Sequence, residues 1–249
     1  MKLADRRVLI VGATSGIAIE ILRVLAEASC HIVLVARDSE KVAAVGADLK
    51  VRGAGTVETF VMDANDFARH DEPFAFATRV LGGIDIVLIA HGLLAPKRED
   101  EAYPDRVLDV FSTTASSVIS LAVRAANIFE EQRSGLIVVL SSVAGDRGRR
   151  SNYSYGAAKS AVSAFLQGLR ARLHGSGARV LTVKPGPVDT PMTSHLRKGF
   201  LFASPVPVAR KIVRAMERGR EVIYVPGYWR GIMFLVRLIP ERFAKRLDI

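Results

Sequence analysis

The sequence is short of cysteine and of long uncharged stretches. Cys30 is the only cysteine, so no intramolecular disulfide can form and a reducing compartment is expected. No uncharged stretch reaches the roughly 18 residues that a membrane-spanning helix needs, and the polar start from Met1 to Arg7 is not typical of a secretory signal. The chain also lacks internal repeats and low-complexity linkers. These absences favour a cytoplasmic protein, and we expect no metal site.

The composition is that of one folded domain with a basic surface. The chain has 249 residues, of which 49% are hydrophobic, and residues 1–249 are therefore treated as a single α/β domain. The formal net charge of +10 favours anionic partners such as phosphorylated ligands, anionic lipid or nucleic acid. We expect no nucleic acid, because no basic motif is interleaved with aromatic residues.

A strand, a glycine-containing turn and a helix follow one another near the start of the chain. Residues 7–11 predict a short strand, and residues 12–18 predict a turn into a helix that ends near Ala28. In this context glycines let the backbone approach a pyrophosphate, which then lies at the helix N-terminus. The residues predicted to contact it are Gly12, Thr14, Ser15, Gly16 and Ile17.

The second predicted strand covers residues 32–35. The residues that follow it indicate which dinucleotide the protein binds. An acidic residue directly after this strand usually accepts the ribose hydroxyls of NAD. Arg37 stands there instead, and a guanidinium suits the 2′-phosphate of NADP. Asp38 follows one residue later, so NAD(H) stays open beside NADP(H). Ser39 is expected to cap the next helix.

A tyrosine and a lysine four residues apart point to proton transfer. Tyr155 and Lys159 would share one face of a helix predicted over about residues 152–174. A cation near a phenol lowers the phenol pKa, ordinarily about 10, so that it can exchange a proton with a substrate oxygen near neutral pH. Ser142 follows a predicted buried strand, residues 136–140, and its hydroxyl could hydrogen-bond the same oxygen.

With these motifs in this order, the chain resembles the short-chain dehydrogenases/reductases over essentially its whole length. Ser142 precedes Tyr155 by thirteen residues, as in many members, and Pro185-Gly186-Pro187-Val188-Asp189-Thr190 fits the family pattern PGxxxT. The resemblance implies a Rossmann-type, doubly wound α/β sandwich with a mainly parallel seven-stranded sheet, in a dimer or tetramer. It implies that Ser142, Tyr155 and Lys159 are catalytic. The further cofactor contacts that it implies are Tyr155, Lys159, Asp63, Gly92, Pro185, Gly186, Val188 and Thr190.

Three positions depart from the family pattern. Ala18 replaces the usual third glycine of the turn, which adds one methyl group at a helix contact. His91 lies in Ile89-Ala90-His91-Gly92, where the family usually has Asn-Asn-Ala-Gly, and it is expected to be structural or at the rim of the cofactor site. The family's relay asparagine is matched to Phe111, inside a long helix predicted over about residues 105–129. That member of the catalytic tetrad is therefore expected to be missing.

Three arginines lie in the loop between the predicted catalytic serine and tyrosine: Arg147, Arg149 and Arg150. One interpretation is a solvated charged loop. The other is an anion site for a phosphorylated substrate, because guanidinium groups match the geometry of phosphate.

The C-terminal tail, residues 228–249, combines an apolar start with a basic flank. Its first twelve residues would form a helix of about 18 Å, too short to cross a bilayer of roughly 30 Å. The tail could lie in an anionic membrane interface, or pack on a partner subunit or on its own core. Residues 144–150, residues 192–196 and the C-terminal Arg-Leu-Ile-Pro resemble one branch of the family, the reductases of polyprenyl-phosphoryl 2-keto-pentoses.

These features predict a reductase that transfers hydride from NADPH to a ketone. Tyr155 would donate the proton, Ser142 would orient the carbonyl oxygen, and Lys159 would lower the tyrosine pKa and bind the nicotinamide ribose. The branch resemblance implies a polyprenyl-phosphate-linked keto-sugar, reached by peripheral contact at the inner face of the membrane. The alternatives are a reductase of another lipid-like ketone, such as a steroid or 3-ketoacyl thioester, and a cofactor-binding protein without turnover.

Overall fold

The computed structural model describes residues 2–94 and 102–246, and a seven-stranded sheet lies at its centre. The strands are β1 (Arg7–Val11), β2 (His31–Ala36), β3 (Val57–Val61), β4 (Ile86–Ile89), β5 (Gly135–Leu140), β6 (Ala178–Pro185) and β7 (Val222–Val225). Their order is β3-β2-β1-β4-β5-β6-β7, and every neighbouring pair is parallel. The predicted doubly wound α/β sandwich is therefore confirmed. The order reverses between β1 and β4, and sheets of this kind bind ligands at their carboxyl edge beside such a reversal.

Helices cover both faces of the sheet. They are α1 (Gly16–Glu27), α2 (Ser39–Val51), α3 (Glu72–Leu81), α4 (Pro104–Phe111), α5 (Ser117–Gln132), α6 (Tyr153–Arg172), α7 (Pro205–Glu217), α8 (Trp229–Leu238) and α9 (Glu241–Ala244). Buried residues of α1, α2 and α7 form the core on one face, and those of α3 to α6 form the core on the other.

The strands are apolar along their whole length because both faces of the sheet are covered. In β1, Val8 and Ile10 belong to the core under α1, whereas Leu9 and Val11 belong to the core under α5. All four side chains are buried. Successive residues of a strand alternate between faces, so a strand buried on both sides requires an uninterrupted apolar run.

One local prediction is wrong, and a second is confirmed with an irregularity inside the helix. Asp38, rather than Ser39, caps α2, because its carboxylate accepts a hydrogen bond from the Lys41 backbone N–H at 3.0 Å. The long helix predicted over residues 105–129 consists of α4 and α5 joined by a π-helical turn at Ser112–Ser116. A π turn contains one more residue per turn than an α-helix, so side chains beyond it point in directions that a regular count does not predict.

The joined helical stretch Pro104–Gln132 is long and apolar enough, with a mean hydropathy of 1.3, to cross a membrane by length and composition alone. Its α5 half contacts β4 and β5 and buries Leu121, Ala125 and Phe129 completely. A core helix of a sheet protein has the same composition, so this stretch is accounted for by the fold.

Helix α8 packs on the domain through one face only. Trp229 and Met233 are buried in a small cluster with Val143. The opposite face, called here the outer face of α8, exposes Phe234, Leu235 and Leu238. The tail therefore packs on its own core while keeping an apolar outer face. The last three residues of the predicted tail, 247–249, lie outside the described residues.

Candidate active site

Two adjoining cavities open at the carboxyl edge of the sheet. The first, the β1–β2 cavity, is bordered by the ends of β1 and β2, and the second, the β5–β6 cavity, by the ends of β5 and β6. The predicted residues that line the first are Gly12, Thr14, Ser15, Gly16, Ile17, Arg37, Asp63, Gly92 and Thr190. Those that line the second are Ser142, Tyr155, Lys159, Pro185, Gly186 and Val188, together with Ser15, Ile17, Gly92 and Thr190. The structure thus brings every predicted cofactor and catalytic residue to one continuous site.

The glycine turn leaves space for a ligand at the start of α1. Gly12 has a φ of +88°, and a Cβ there would lie 2.6 Å from the His91 backbone nitrogen, so only glycine is tolerated. Gly16 faces Thr190, whose Cγ2 would lie 2.9 Å from an added Cβ. The Ser15 side chain makes no capping hydrogen bond to α1. The first backbone N–H groups of α1 are therefore free to hold a phosphate, as a dinucleotide requires.

Ala18 is buried completely in the core under α1. Its methyl group is therefore accommodated by packing, away from the cavity lining.

Arg37 and Asp38, the two candidates for contact with the adenosine ribose, have different surroundings. Arg37 lines the β1–β2 cavity. The Asp38 carboxylate is engaged by Lys41, through the backbone N–H at 3.0 Å and the ammonium at 2.9 Å. The Lys41 backbone N–H, helped by the Lys41 ammonium, also holds the pKa of Asp38 below its usual value. Asp38 therefore serves the start of α2, and Arg37 is the charged residue that a ribose or its phosphate would meet.

Ser142, Tyr155 and Lys159 converge where β5 ends and α6 begins. The Lys159 ammonium donates a hydrogen bond to the Leu140 carbonyl oxygen at 2.7 Å, and its nitrogen lies 5.7 Å from the centroid of the Tyr155 ring. The Ser142 hydroxyl oxygen accepts a hydrogen bond from the Ala144 backbone N–H at 3.1 Å, and the same hydroxyl forms a hydrogen bond with the Tyr155 side chain.

Burial controls the titration of the catalytic pair. It raises the pKa of Tyr155 to about 12, with the Ser142 hydrogen bond acting in the opposite direction. It also lowers the pKa of Lys159 to about 8. We expected Lys159 to lower the pKa of Tyr155, but the pKa is raised. Burial removes the phenolate from water, and this effect is larger than the opposing effect of the Ser142 hydrogen bond.

His91 lies at the boundary of the two cavities and lines both. Its Nε2 is 3.0 Å from the Ser117 hydroxyl oxygen, and burial lowers the pKa of the imidazole to about 3. A neutral imidazole tied to a core helix agrees with the expected structural position at the rim. Among the described residues, no group of three or more His, Cys, Asp or Glu side chains is placed to hold a metal ion.

The structure places Thr114 near Gly92 and Lys159, whereas Phe111, the residue matched to the family's relay asparagine, packs against the core on the α3 to α6 face of the sheet. Thr114, in the π turn, is fully buried; its hydroxyl oxygen accepts from the Leu93 N–H at 2.8 Å and its O–H donates to the Leu93 carbonyl at 3.2 Å. A Cβ on Gly92 would lie 3.5 Å from the Lys159 nitrogen and 3.6 Å from the Thr114 hydroxyl oxygen. Thr114 and Lys159 thus flank Gly92.

The three arginines of the loop have three different environments. Arg147 contacts the C-terminal segment, donating to the Arg237 carbonyl at 3.2 Å and pairing with Glu241 at 3.0 Å. Arg150 is exposed and lines neither cavity. Only Arg149 lines the β5–β6 cavity, where burial lowers its pKa. The predicted three-arginine anion site is therefore reduced to one guanidinium.

Asn152 and Trp229 are among the lining residues of the β5–β6 cavity that the sequence-based prediction missed. The Trp229 indole rests on Gly186, where an added Cβ would overlap its nitrogen. Trp229 is the only tryptophan of the chain and follows Pro226-Gly227, a signal for a chain reversal that could have drawn attention to it.

Comparison with known proteins gives a consistent result. Residues 6–200 match the model of the family described as short chain dehydrogenase. Rv2073c, an uncharacterized oxidoreductase of Mycobacterium tuberculosis strain H37Rv, is 34% identical over 240 residues, 96% of each chain. An uncharacterized oxidoreductase from the mprA 5′ region of Streptomyces coelicolor is 34% identical over 247 residues, 98% of this chain and 96% of that one.

Two solved structures share the fold. The structure of gox2181 has a TM-score of 0.81 at 22% identity, covering 90% of this chain and 95% of that one. A putative short-chain alcohol dehydrogenase from Sinorhizobium meliloti 1021 has a TM-score of 0.80 at 23% identity, covering 92% of this chain and 97% of that one. At these identities the likeness concerns the fold alone.

Proposed function

The chain belongs to the short-chain dehydrogenase family, and from this premise we propose that it uses NADPH to reduce the ketone of a polyprenyl-phosphate-linked keto-sugar. Oxidoreductase activity with an NAD(P)-type cofactor follows from the family. Membership of the family does not specify three parts of the proposal: the preference for NADPH, the identity of the substrate and the contact with the membrane. The observation that carries the substrate class is the presence of Arg149 in the same cavity as Ser142 and Tyr155.

Tyr155 is the proton donor in this reaction. When bound, NADPH supplies the hydride that the carbonyl carbon accepts. Tyr155, whose raised pKa of about 12 keeps it protonated at neutral pH, gives its proton to the carbonyl oxygen as negative charge develops there. Ser142, which hydrogen-bonds the Tyr155 side chain in this structure, donates its O–H to the same oxygen when the substrate is bound and thereby stabilises that charge.

Lys159 holds a positive charge beside the reacting groups. Its ammonium is fixed by the Leu140 carbonyl, close to the Tyr155 ring. At neutral pH a lysine with a pKa of about 8 is mostly protonated, so the cation is available as Tyr155 loses its proton. Thr114, on the other side of Gly92, lies where a hydroxyl could help return a proton to this pair.

Arg37 supports NADPH as the cofactor. It lines the β1–β2 cavity, whereas the competing Asp38 is engaged by Lys41. A guanidinium at this place stabilises a 2′-phosphate through charge-assisted hydrogen bonds, and NADH offers no such group.

The surface around α8 supports contact with anionic membrane lipid. The outer face of α8 exposes Phe234, Leu235 and Leu238, and Phe200, which precedes Leu201 of the cluster under α8, is 95% exposed. Arg230 lies near the start of α8, and Arg242 lies in α9, which follows it. An apolar face with basic flanks binds interfaces that carry negative charge. A polyprenyl chain stays in the bilayer because each exposed CH₂ costs about 0.8 kcal/mol, so the enzyme has to come to the interface.

The assay for this proposal is NADPH oxidation by the purified protein with a panel of ketones. The panel contains a short-chain analogue of the polyprenyl-phosphoryl keto-pentose, a steroid ketone and a 3-ketoacyl thioester. Preferential turnover of the keto-sugar phosphate supports the proposal. Preferential turnover of either other ketone assigns a different lipid-like substrate, and NADPH binding without any turnover assigns a cofactor-binding protein.

A further inference from the structure

Three residues that line the β5–β6 cavity each carry a buried polar atom without a hydrogen-bond partner. These atoms are the Arg149 Nε, the Asn152 Oδ1 and the Trp229 Nε1. The only other such atom among the described side chains, His91 Nδ1, belongs to a residue at the boundary of the two cavities. Native proteins pair nearly all buried polar atoms, so a concentration of unpaired ones among the residues of a single cavity indicates a ligand that pairs them.

Packing fixes the Trp229 side chain, and Asn152 lies at the start of α6. Trp229 is only 6% exposed, and its ring is fixed between Gly186 and the cluster around Val143. Asn152 occupies the N-cap position of α6, yet its side chain makes no capping hydrogen bond. Asparagine at this position normally satisfies the helix N-terminus, so its oxygen is left for another donor.

Arg149 precedes Asn152 in the same loop, and the Asn152 backbone N–H donates to the Arg149 carbonyl at 3.3 Å. No carboxylate within residues 2–94 and 102–246 pairs with the Arg149 guanidinium, and burial of an unpaired guanidinium is costly unless an anion binds there. Arg149 therefore supplies the charge of the site, and Trp229 supplies a neutral N–H donor beside it.

From these atoms we infer that the β5–β6 cavity contains a subsite for a phosphorylated hydroxyketone. The Arg149 guanidinium and the Trp229 indole N–H bind phosphate oxygens, and the Asn152 amide oxygen accepts a hydrogen bond from a substrate hydroxyl. This rests on the proposed function, since the ketone of the same molecule has to reach Tyr155. The subsite favours phosphorylated hydroxyketones over steroids and simple acyl ketones, because a ketone of either other kind leaves all three polar atoms unpaired.

The test measures binding separately from turnover. Dihydroxyacetone phosphate, which carries a ketone, a hydroxyl and a phosphate, is titrated into NADP⁺-saturated protein, so that the cofactor's own phosphate site is filled. Calorimetry reports affinity, and the emission of Trp229, the only tryptophan, reports whether binding occurs in this cavity. Dihydroxyacetone is the probe without phosphate, and inorganic phosphate is the probe without ketone or hydroxyl.

We expect saturable binding of dihydroxyacetone phosphate with a change in Trp229 emission, and little response to dihydroxyacetone. Arg149→Met should weaken binding at least about tenfold, as for loss of a charge-assisted hydrogen bond, with Arg149→Lys between it and the native protein. Trp229→Phe, followed by calorimetry, should weaken it severalfold. Arg150→Met is the matched control, because Arg150 lies in the same loop outside the cavity, and it should leave affinity unchanged.

Binding without a change in Trp229 emission, equal losses in Arg149→Met and Arg150→Met, or equal binding of dihydroxyacetone would overturn the subsite. So would an absence of binding. A protein that binds the phosphorylated probe through Arg149 but oxidises no NADPH with any ketone would overturn the proposed function and leave the subsite standing.

Discussion

The Lys159 ammonium nitrogen lies 5.7 Å from the centroid of the Tyr155 ring, in a site where both groups are removed from water. Burial moves the two pKa values in opposite directions, to about 8 for the lysine and about 12 for the tyrosine. The tyrosine therefore remains an acid throughout the neutral range, and the lysine is the group of the pair that titrates near it.

The first prediction concerns the dependence of reduction on pH. As pH rises through about 8, Lys159 loses its proton and the stabilising cation disappears, while Tyr155 stays protonated. Above that point kcat/KM for ketone reduction should fall by about tenfold per pH unit, as for one essential protonated group. Steady-state rates from pH 6 to 10 measure this, and a profile that stays flat to pH 9.5 would contradict the role given to Lys159.

The second prediction concerns the cofactor. Arg37→Ala should weaken NADPH binding by about tenfold to a hundredfold, the range for a charge-assisted hydrogen bond, and leave NADH nearly unchanged. Titration of the purified protein with each nucleotide measures the two affinities. The matched variant Asp38→Asn keeps a capping side chain and should change neither affinity. Loss of NADH binding in Asp38→Asn, or equal losses for both nucleotides in Arg37→Ala, would mean that the ribose is recognised differently.

The third prediction concerns the π turn. Thr114→Val keeps the shape of the side chain but removes the hydroxyl that contacts Leu93 and lies across Gly92 from Lys159. We expect kcat to fall about tenfold, with a smaller change in the affinity for NADPH. Phe111→Leu, which alters packing only, should retain kcat. If Phe111→Leu lowers kcat and Thr114→Val does not, Thr114 has no part in the proton path.

The fourth prediction concerns the outer face of α8. Leu235→Ser with Leu238→Ser removes exposed apolar surface and should weaken binding to anionic vesicles by at least about tenfold, since burying one leucine side chain is worth about 1.5–3 kcal/mol. Added salt should weaken binding of the native protein as well. Vesicle sedimentation measures both effects. Val51→Ser, a change at the 90% exposed Val51 at the end of α2, is the control.

Native protein that does not sediment with anionic vesicles at low salt would contradict membrane contact. Surface substitutions are better suited to this test than removal of the tail after Gly227. Truncation would also remove Trp229 and Met233, which are buried against Val143, and so would disturb the cavity as well as the surface.

The features that were predicted correctly from the sequence are those encoded locally. The apolar strand runs are uninterrupted because both faces of the sheet are covered. The glycine turn requires a backbone conformation at Gly12 that other residues avoid. Tyr155 and Lys159 share a helix face because of their spacing. Such signals do not depend on how distant parts of the chain pack.

The features that were missed depend on long-range packing. Arg147, Arg149 and Arg150 are alike in sequence, and the position of α8 and α9 decides which one remains at the cavity. Trp229 enters the site only because α8 folds back onto Gly186. The place of Thr114 across Gly92 from Lys159 was not predicted, because a π turn interrupts a helix that sequence periodicity treats as regular.

The most direct test of the catalytic assignment is the rate of Tyr155→Phe, measured as NADPH oxidation with the best ketone of the panel. Removing the phenolic proton while keeping the ring should lower kcat by at least about a hundredfold and leave NADPH affinity within about twofold, because general acid catalysis contributes on that scale. The control is Tyr153→Phe, at a 40% exposed tyrosine on the same helix, which should keep its rate. A Tyr155→Phe enzyme that turns over at a near-native rate would contradict the assignment of this cavity as the active site.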